Sequence, residues 1–262
     1  MKRRLDAALV HRGLVKSRTL AQELISQGNI FVNGIKVEKS SNQVSDDVKI
    51  EVVQAQNYDV GRGASKLRNA LQEFNDVVIN NKVCLDVGAS TGGFTQVLLE
   101  NEAKCVFALD VGYGQIDWSI RSNPKVQVIE RFNARNLTAA DLPEKMDIIV
   151  ADLSFISLTK VIANLIEVST EQTEFLLMVK PQFELEKNQI AEGGVVRDLH
   201  LRTMAVWKIV SFARNLGLNC QAVAFSGLAG PSGNKEFFIR LSKSSGELSQ
   251  AQISQVIERA GL

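Results

Sequence analysis

The 262-residue sequence predicts an α/β body on a mostly parallel sheet, preceded by a small α+β head. Three observations predict this. After residue 64, apolar strand-like runs alternate with helix-length stretches, a pattern that requires parallel strands with helices on both faces. The first 55 residues instead read as two short helices, a hairpin and a strand. Between them, Gln54–Gly63 is polar and holds two glycines, the composition of a linker. The predicted divisions are residues 1–55, 56–63 and 64–262.

In the head, residues 5–12 form the first predicted helix, with Leu5, Ala8 and Leu9 on one face. Ser17 is a candidate N-cap for a second helix over Arg18–Gln27, with Leu20, Ala21 and Leu24 inward and Gly28 ending it. Asn33-Gly34 between β-branched runs predicts a hairpin, because both turn positions need φ > 0. Val48–Val53 is the next predicted strand. In the body, Ala64–Phe74 is amphipathic, with Leu67, Leu71 and Phe74 at helical spacing. Strands are predicted at 82–87, 104–110, 125–129, 147–152, 174–180, 219–225 and 236–241.

Composition narrows the classes. Hydrophobic residues make up 45% and charged residues 23%, an ordinary globular balance. No apolar run is long enough for a transmembrane helix. Met1-Lys2-Arg3-Arg4 starts like a signal peptide, but Asp6, His11 and Arg12 interrupt the apolar stretch that should follow. Cys84, Cys105 and Cys220 are scattered, so neither a disulfide framework nor a metal site is expected, and a reducing cytoplasm is the expected compartment. Residues 1–40 hold eight basic residues against three acids, a net +5, so the rest carries −4 of the total +1. A basic head on a mildly acidic body points to a polyanionic partner, although a solvated charged face would look the same.

The segment from Lys82 to Thr95 is the most informative. An apolar strand ending at Asp86-Val87 runs into Gly88-Ala89-Ser90-Thr91-Gly92-Gly93, and a helix opens after it. Small residues there let backbone N–H groups approach a ligand at the carboxyl edge of the sheet. Asp110 ends the next strand, 24 residues after Asp86, where a carboxylate can accept hydrogen bonds from ribose hydroxyls. Two features favour S-adenosylmethionine over a dinucleotide. Asp86 stands where the cofactor's ammonium would be near, and Ser90 occupies the place of the second fingerprint glycine. A bare structural turn is the plainer alternative.

Asp152 and Lys180 end neighbouring strands and reach the same edge. Glu236 begins the last strand and joins them if that strand is antiparallel, while Lys66 lies on the helix leading into the first strand. Singly they read as a helix cap, a solvated strand end, an edge charge and an exposed helix residue. Together, two lysines and two carboxylates beside a cofactor loop have the make-up of an acid–base site.

The head resembles the S4 RNA-binding domain through Arg3-x-Leu5-Asp6, Ser17-Arg18-x-x-Ala21 and Gly28-x-Ile30-x-Val32-Asn33-Gly34. The whole chain resembles the TlyA family, a branch of the FtsJ-like ribose 2′-O-methyltransferases. The matching segments are Gly61–Leu67, Asp86–Thr95, Ala108–Gln115, Ala151–Leu158, Val179–Glu184 and Gly230-Pro231-x-Gly233-Asn234-x-Glu236. The resemblance implies a Rossmann-like class I methyltransferase fold, with a seven-stranded, mostly parallel sheet and an antiparallel last strand. It places a catalytic Lys-Asp-Lys-Glu tetrad on Lys66, Asp152, Lys180 and Glu236, with Lys180 either the central base or a protonated group steadying the alkoxide. It implies S-adenosylmethionine bound through Asp86, Gly88, Ala89, Ser90, Gly92, Gly93 and Asp110, with Asn133 and Ala134 near the adenine and Phe155 lining the pocket. It implies ribosomal RNA or ribosomal subunits as partner, with cytidine ribose as acceptor. Arg3, Arg4, Lys16, Arg18 and Lys36 of the head are the expected phosphate contacts, joined by Arg131, Arg135 and Lys187 from loops beside the cofactor edge. The linker segment Val53–Asn57 departs from the Arg- and Trp-containing motif that part of the family carries there. A base methylase would often show an Asn-Pro-Pro-aromatic motif or a cysteine nucleophile, and Asp152-Leu153-Ser154-Phe155 stands there instead. A haemolysin, another label of this family, would need an export signal or membrane-active helix that the sequence lacks.

Overall fold

The computed structural model describes residues 2–15, 17–26, 28–52 and 59–260. Lys16, Gln27 and residues 53–58, where the sequence reading ends the head and starts the linker, lie outside the described residues. The chain divides into two units, Met1–Tyr58 and Asp59–Leu262.

The first unit runs β1 (Lys2–Arg4), α1 (Leu5–His11), α2 (Arg18–Ser26), β2 (Ile30–Val32), β3 (Ile35–Lys36), β4 (Gln43–Ser45) and β5 (Ile50–Val52). Its core is Leu5, Ala8, Leu9, Val15, Ala21, Leu24, Ile25, Ile30 and Val44; the face of α1 is the expected one, while in α2 Ile25 is buried and Leu20 only half-buried. Ser17 Oγ accepts from the Leu20 N–H at 3.2 Å at the start of α2. Asn33 and Gly34 both have positive φ, which makes the β2–β3 turn. The pairing of β1 with β4 was not expected. Lys-Arg-Arg and Gln-Val-Ser are too short and too polar to show an apolar alternation.

The second unit opens with α3 (Arg62–Glu73), two residues earlier than the apolar pattern, because Arg62 and Gly63 carry no apolar signal. It continues β6 (Val83–Val87), α4 (Gly93–Glu100), β7 (Cys105–Leu109), α5 (Trp118–Arg121), β8 (Val126–Ile129), β9 (Met146–Ala151) and α6 (Ile162–Glu167). Then follow β10 (Ser169–Val179), α7 (Pro181–Glu184), α8 (Leu199–Asn215), β11 (Asn219–Phe225), β12 (Phe237–Ser242) and α9 (Gln250–Arg259). The sheet order is β11-β12-β10-β9-β6-β7-β8. Strands β6 to β10 pair parallel, and β12 lies antiparallel between β10 and β11. β10 starts five residues before the predicted strand. Its first stretch, Ser169–Thr173, is polar and joins β9 through a register break before Glu174.

Strand alternation divides the core in two. Leu85, Ile149, Phe175, Leu177 and Phe237 face one layer with α6, α8 and α9. Cys84, Ile148, Val150, Leu176, Met178 and Phe238 face Leu67 and Ala70 of α3, Phe74 just after it, and Val97 and Leu98 of α4. Both faces of β6 are therefore buried, as parallel strands require.

Candidate active site

Two cavities abut at the carboxyl edge of the sheet. One, of 540 Å³, is lined by Gly88, Ser90, Asp110, Gln115, Asn133, Ala134, Arg135, Phe155 and the chain from Asp152 to Ile156. The other, of 340 Å³, is lined by Lys66, Asp152, Lys180 and Glu236 together with Arg62, Ser154 and the glycine loop. Gly88, Ser90, Asp152 and Ser154 line both.

The glycine loop turns over the end of β6. Gly88 has φ +84°, and a Cβ there would stand 2.6 Å from the Asp152 carbonyl oxygen, so only glycine allows β6 and β9 to end this close together. At Gly93 a Cβ would sit 2.8 Å from the Ala64 backbone N, which lets α3 and α4 start side by side. Asp110 ties the loop to β7: its Oδ2 accepts from the Ser90 N–H at 2.8 Å and its Oδ1 from the Gly112 N–H at 2.6 Å. Each oxygen keeps lone-pair capacity for a ligand hydroxyl. Asn133 caps the turn Ala134–Asn136 through the Arg135 N–H and borders the first cavity with Ala134.

Two of the expected cofactor residues line neither cavity. Gly92, with φ +96°, is the N-cap of α4 and packs on Ile120. Asp86 lies on the helix-facing side of β6, fully buried, and its Oδ2 accepts from the Thr95 N–H at 2.9 Å and hydroxyl at 2.7 Å. Its Oδ1 is buried without a hydrogen-bond partner. Burial pushes its pKa up to about 7, against the Thr95 bonds, with Asp152 and Asp110 adding to the rise. Asp86 thus supports the loop from below.

The expected tetrad residues meet as two ion pairs in one cavity, Lys66–Glu236 buried and Lys180–Asp152 with a half-buried carboxylate. Lys66 Nζ is 2.5 Å from Glu236 Oε2, and both side chains are buried. Glu236 sits just before β12, which the antiparallel direction brings to the carboxyl edge, and Gly230 leaves room for its carboxylate. Arg62 Nη2 donates to the Ala229 carbonyl at 2.6 Å and holds that loop to the start of α3. Lys180 Nζ lies 2.6 Å from Asp152 Oδ1, an ion-pair distance without hydrogen-bond alignment, and donates to Ser154 Oγ at 2.8 Å. Two cations and two anions in a buried pocket balance, which is the condition for keeping such charges from water.

Sequence reasoning missed Ser154, whose one signal is its place two residues after Asp152, and Gln115. Phe155 borders the first cavity as expected, but it is 91% exposed, has φ +64°, and rests on Phe183 with ring centroids 5.1 Å apart.

The basic residues have structured surroundings. Asp6, fully buried, accepts from Arg4 Nε and Nη2, Arg18 Nη2 and Gln22 Nε2. The Arg4 guanidinium, with Gln22 and Arg18, holds the Asp6 carboxyl far below the usual range. Arg3 pairs with Asp46, and Lys36 with Glu38. Arg131 stacks on Tyr113 at 4.1 Å, Arg135 borders the first cavity, and Lys187 opens an exposed turn.

A seven-stranded sheet with one reversed strand and a glycine loop after its first parallel strand, β6, defines a methyltransferase fold. A family model described as FtsJ-like methyltransferase matches residues 60–243, and one described as S4 domain matches residues 3–50. The chain belongs to the FtsJ-like methyltransferase family, in the TlyA branch that carries an S4 domain. It is 44% identical over 259 residues to the 16S/23S rRNA (cytidine-2′-O)-methyltransferase TlyA of Mycobacterium tuberculosis, covering 98% of this chain and 96% of that protein. It is 40% identical to Hemolysin A of Brachyspira hyodysenteriae, covering 89% and 97%. A solved structure described as a hemolysin, from Streptococcus thermophilus, matches with a TM-score of 0.74 at 31% identity, covering 99% of this chain and 95% of that one. Among the described residues, no helix is long and apolar enough to cross a membrane.

Proposed function

We propose that this chain transfers a methyl group from S-adenosylmethionine to the ribose 2′-hydroxyl of a cytidine in ribosomal RNA, in the cytoplasm, with ribosomal RNA or a ribosomal subunit as partner. The observation that carries the reading is the shared wall of the two cavities: Asp152 and Ser154 border both the glycine-loop cavity and the one holding the tetrad. The name of the Mycobacterium tuberculosis relative supports the same reaction.

The residues present fit the cofactor. Gly88 leaves the loop bare of side chain, Asp110 offers carboxylate oxygens for ribose hydroxyls, and Leu109, Val111, Phe132, Ala134 and Ile156 give apolar walls for a purine. When bound, the cofactor supplies a methyl group on a positively charged sulfur.

The 2′-hydroxyl is a weak nucleophile and needs a group to take its proton. Lys180 Nζ is placed either to take that proton or, as the ammonium paired with Asp152, to steady the developing alkoxide. Asp152 and Ser154 hold the nitrogen in place for either role. The Lys66–Glu236 pair completes a wall of fixed charges that needs little reorganisation during the reaction. Arg4 and Arg18, clamped on Asp6, are set for RNA phosphates in the head.

The test is incubation with methyl-labelled cofactor and separated ribosomal subunits, followed by nuclease mapping of the label. A 2′-O-methylcytidine is expected. Label on a base, or only on protein, overturns the reading.

A further inference from the structure

Glu184 is a buried carboxylate that the chemistry above does not use. It ends α7, four residues after Lys180, and is 2% exposed. Its Oε2 accepts from the Ser157 hydroxyl at 2.5 Å and its Oε1 from the Leu158 N–H at 2.9 Å. Its own backbone carbonyl accepts from Lys208 Nζ of α8 at 2.5 Å. Burial raises its pKa, against the two bonds it accepts and the charge of Lys208.

Ser157 and Leu158 close the loop that begins at Asp152. Lys180 grips the near end of this loop through Asp152 and Ser154, Phe183 supports Phe155 in the middle, and Glu184 holds the far end. Residues 180–184 therefore form a rail along which the loop is fastened at three points. Phe155 shows why fastening is needed. A phenylalanine at φ +64° with nearly all its surface in water is held by neither backbone preference nor burial. A carboxylate suits the far end because two donors, one hydroxyl and one N–H, must be met from one direction. An apolar side chain there would leave the Leu158 N–H without an acceptor and the Ser157 hydroxyl with Thr159 Oγ1 alone, 2.9 Å away.

We propose that Glu184 is a positioning residue for methyl transfer, a clamp that sets the Asp152–Leu158 loop in register with Lys180. The inference rests on the proposed methyl transfer for its kinetic readout and on geometry alone for its structural one. Loss of the clamp shifts Asp152 and Ser154 relative to the lysine, and a displacement of about 1 Å in an acid–base site costs roughly 10²-fold in rate.

The test compares wild type, Glu184→Ala, Glu184→Gln and Ser157→Ala as full chains, with thermal melts as folding controls. Single-turnover methyl transfer at saturating cofactor should fall about 10- to 100-fold in Glu184→Ala. RNA affinity should stay within about twofold. Glu184→Gln should recover most of the rate, since its amide oxygen still accepts from Leu158 and Ser157 can turn to accept from the amide nitrogen. Hydrogen exchange gives the second readout: the Leu158 amide, which donates to Glu184 Oε1, should lose protection in Glu184→Ala and keep it in Glu184→Gln. A folded Glu184→Ala with wild-type rate or unchanged protection overturns the clamp, as does a Glu184→Gln as slow as Glu184→Ala. If Glu184→Ala does not fold, Ser157→Ala decides: a reduced rate at unchanged melting temperature supports the clamp, and a wild-type rate overturns it. A wild type that makes no 2′-O-methyl product refutes the proposed function instead, and the exchange data then judge the clamp by themselves.

Discussion

Replacing Asp86 by asparagine tests whether the carboxyl beneath the glycine loop keeps its proton up to near-neutral pH in the ligand-free protein. Burial raises its pKa from 3.8 to about 7. The folded chain therefore holds this proton to higher pH than the unfolded chain does. Its contribution to stability is full below about pH 4, falls as pH rises through the window up to about 7, and is lost above it. At ~1.4 kcal/mol per unit, the interval from 3.8 to about 7 is worth ~4 kcal/mol if the carboxylate keeps its surroundings on ionising. Asparagine keeps the shape and an acceptor for Thr95 but cannot ionise. Urea melts of both proteins without cofactor, stepped from about pH 5 to about pH 8, should show wild type losing stability relative to Asp86→Asn by a few kcal/mol. Taking the difference cancels every group common to both chains. Parallel curves would refute the reasoning, and so would a wild type that gains stability relative to Asp86→Asn as pH rises.

Lys180→Ala should lower single-turnover methyl transfer by about 10²-fold or more while cofactor affinity changes little, as read by rapid quench and calorimetry. Gly88→Ala forces a Cβ to within 2.6 Å of the Asp152 carbonyl at a φ of +84°. It should cost ~1–3 kcal/mol and weaken cofactor binding, measured by thermal melts with and without S-adenosylmethionine. Arg4→Gln and Arg18→Gln should each weaken RNA binding across sequences and flatten the log–log salt slope by roughly 0.7 to 0.9. A slope that both variants leave unchanged would remove them from the phosphate contacts.

The body's strands were legible because each is an apolar run short enough for a strand and bounded by turns. Lys180 and Asp152 were legible as polar residues closing such runs, and both stand where β10 and β9 end. Glu236 depended on the direction of β12, which a sequence pattern does not carry but a family resemblance does. Alternation along β6 puts Asp86 on the same face as Cys84, toward α4, where Thr95 meets it. Ser154 and Glu184 were not singled out, because a serine in a loop and a glutamate after a lysine are ordinary until the fold closes around them. The β1–β4 pair was hidden for the same reason: its polar residues gain meaning only from the partner strand.

Lys66 and Glu236 stand 170 residues apart in the chain, and β12, the last strand to be made, lies between two that precede it. During synthesis the head and the glycine loop leave the ribosome early, and β11 follows with its place in the sheet still held open. Only when β12 slides into that gap does Lys66 find its counter-ion and the second cavity gain its final wall. In a nascent chain of this kind the pairing of Lys66 waits on the far end of the domain, so the second cavity is the last part of the site to close.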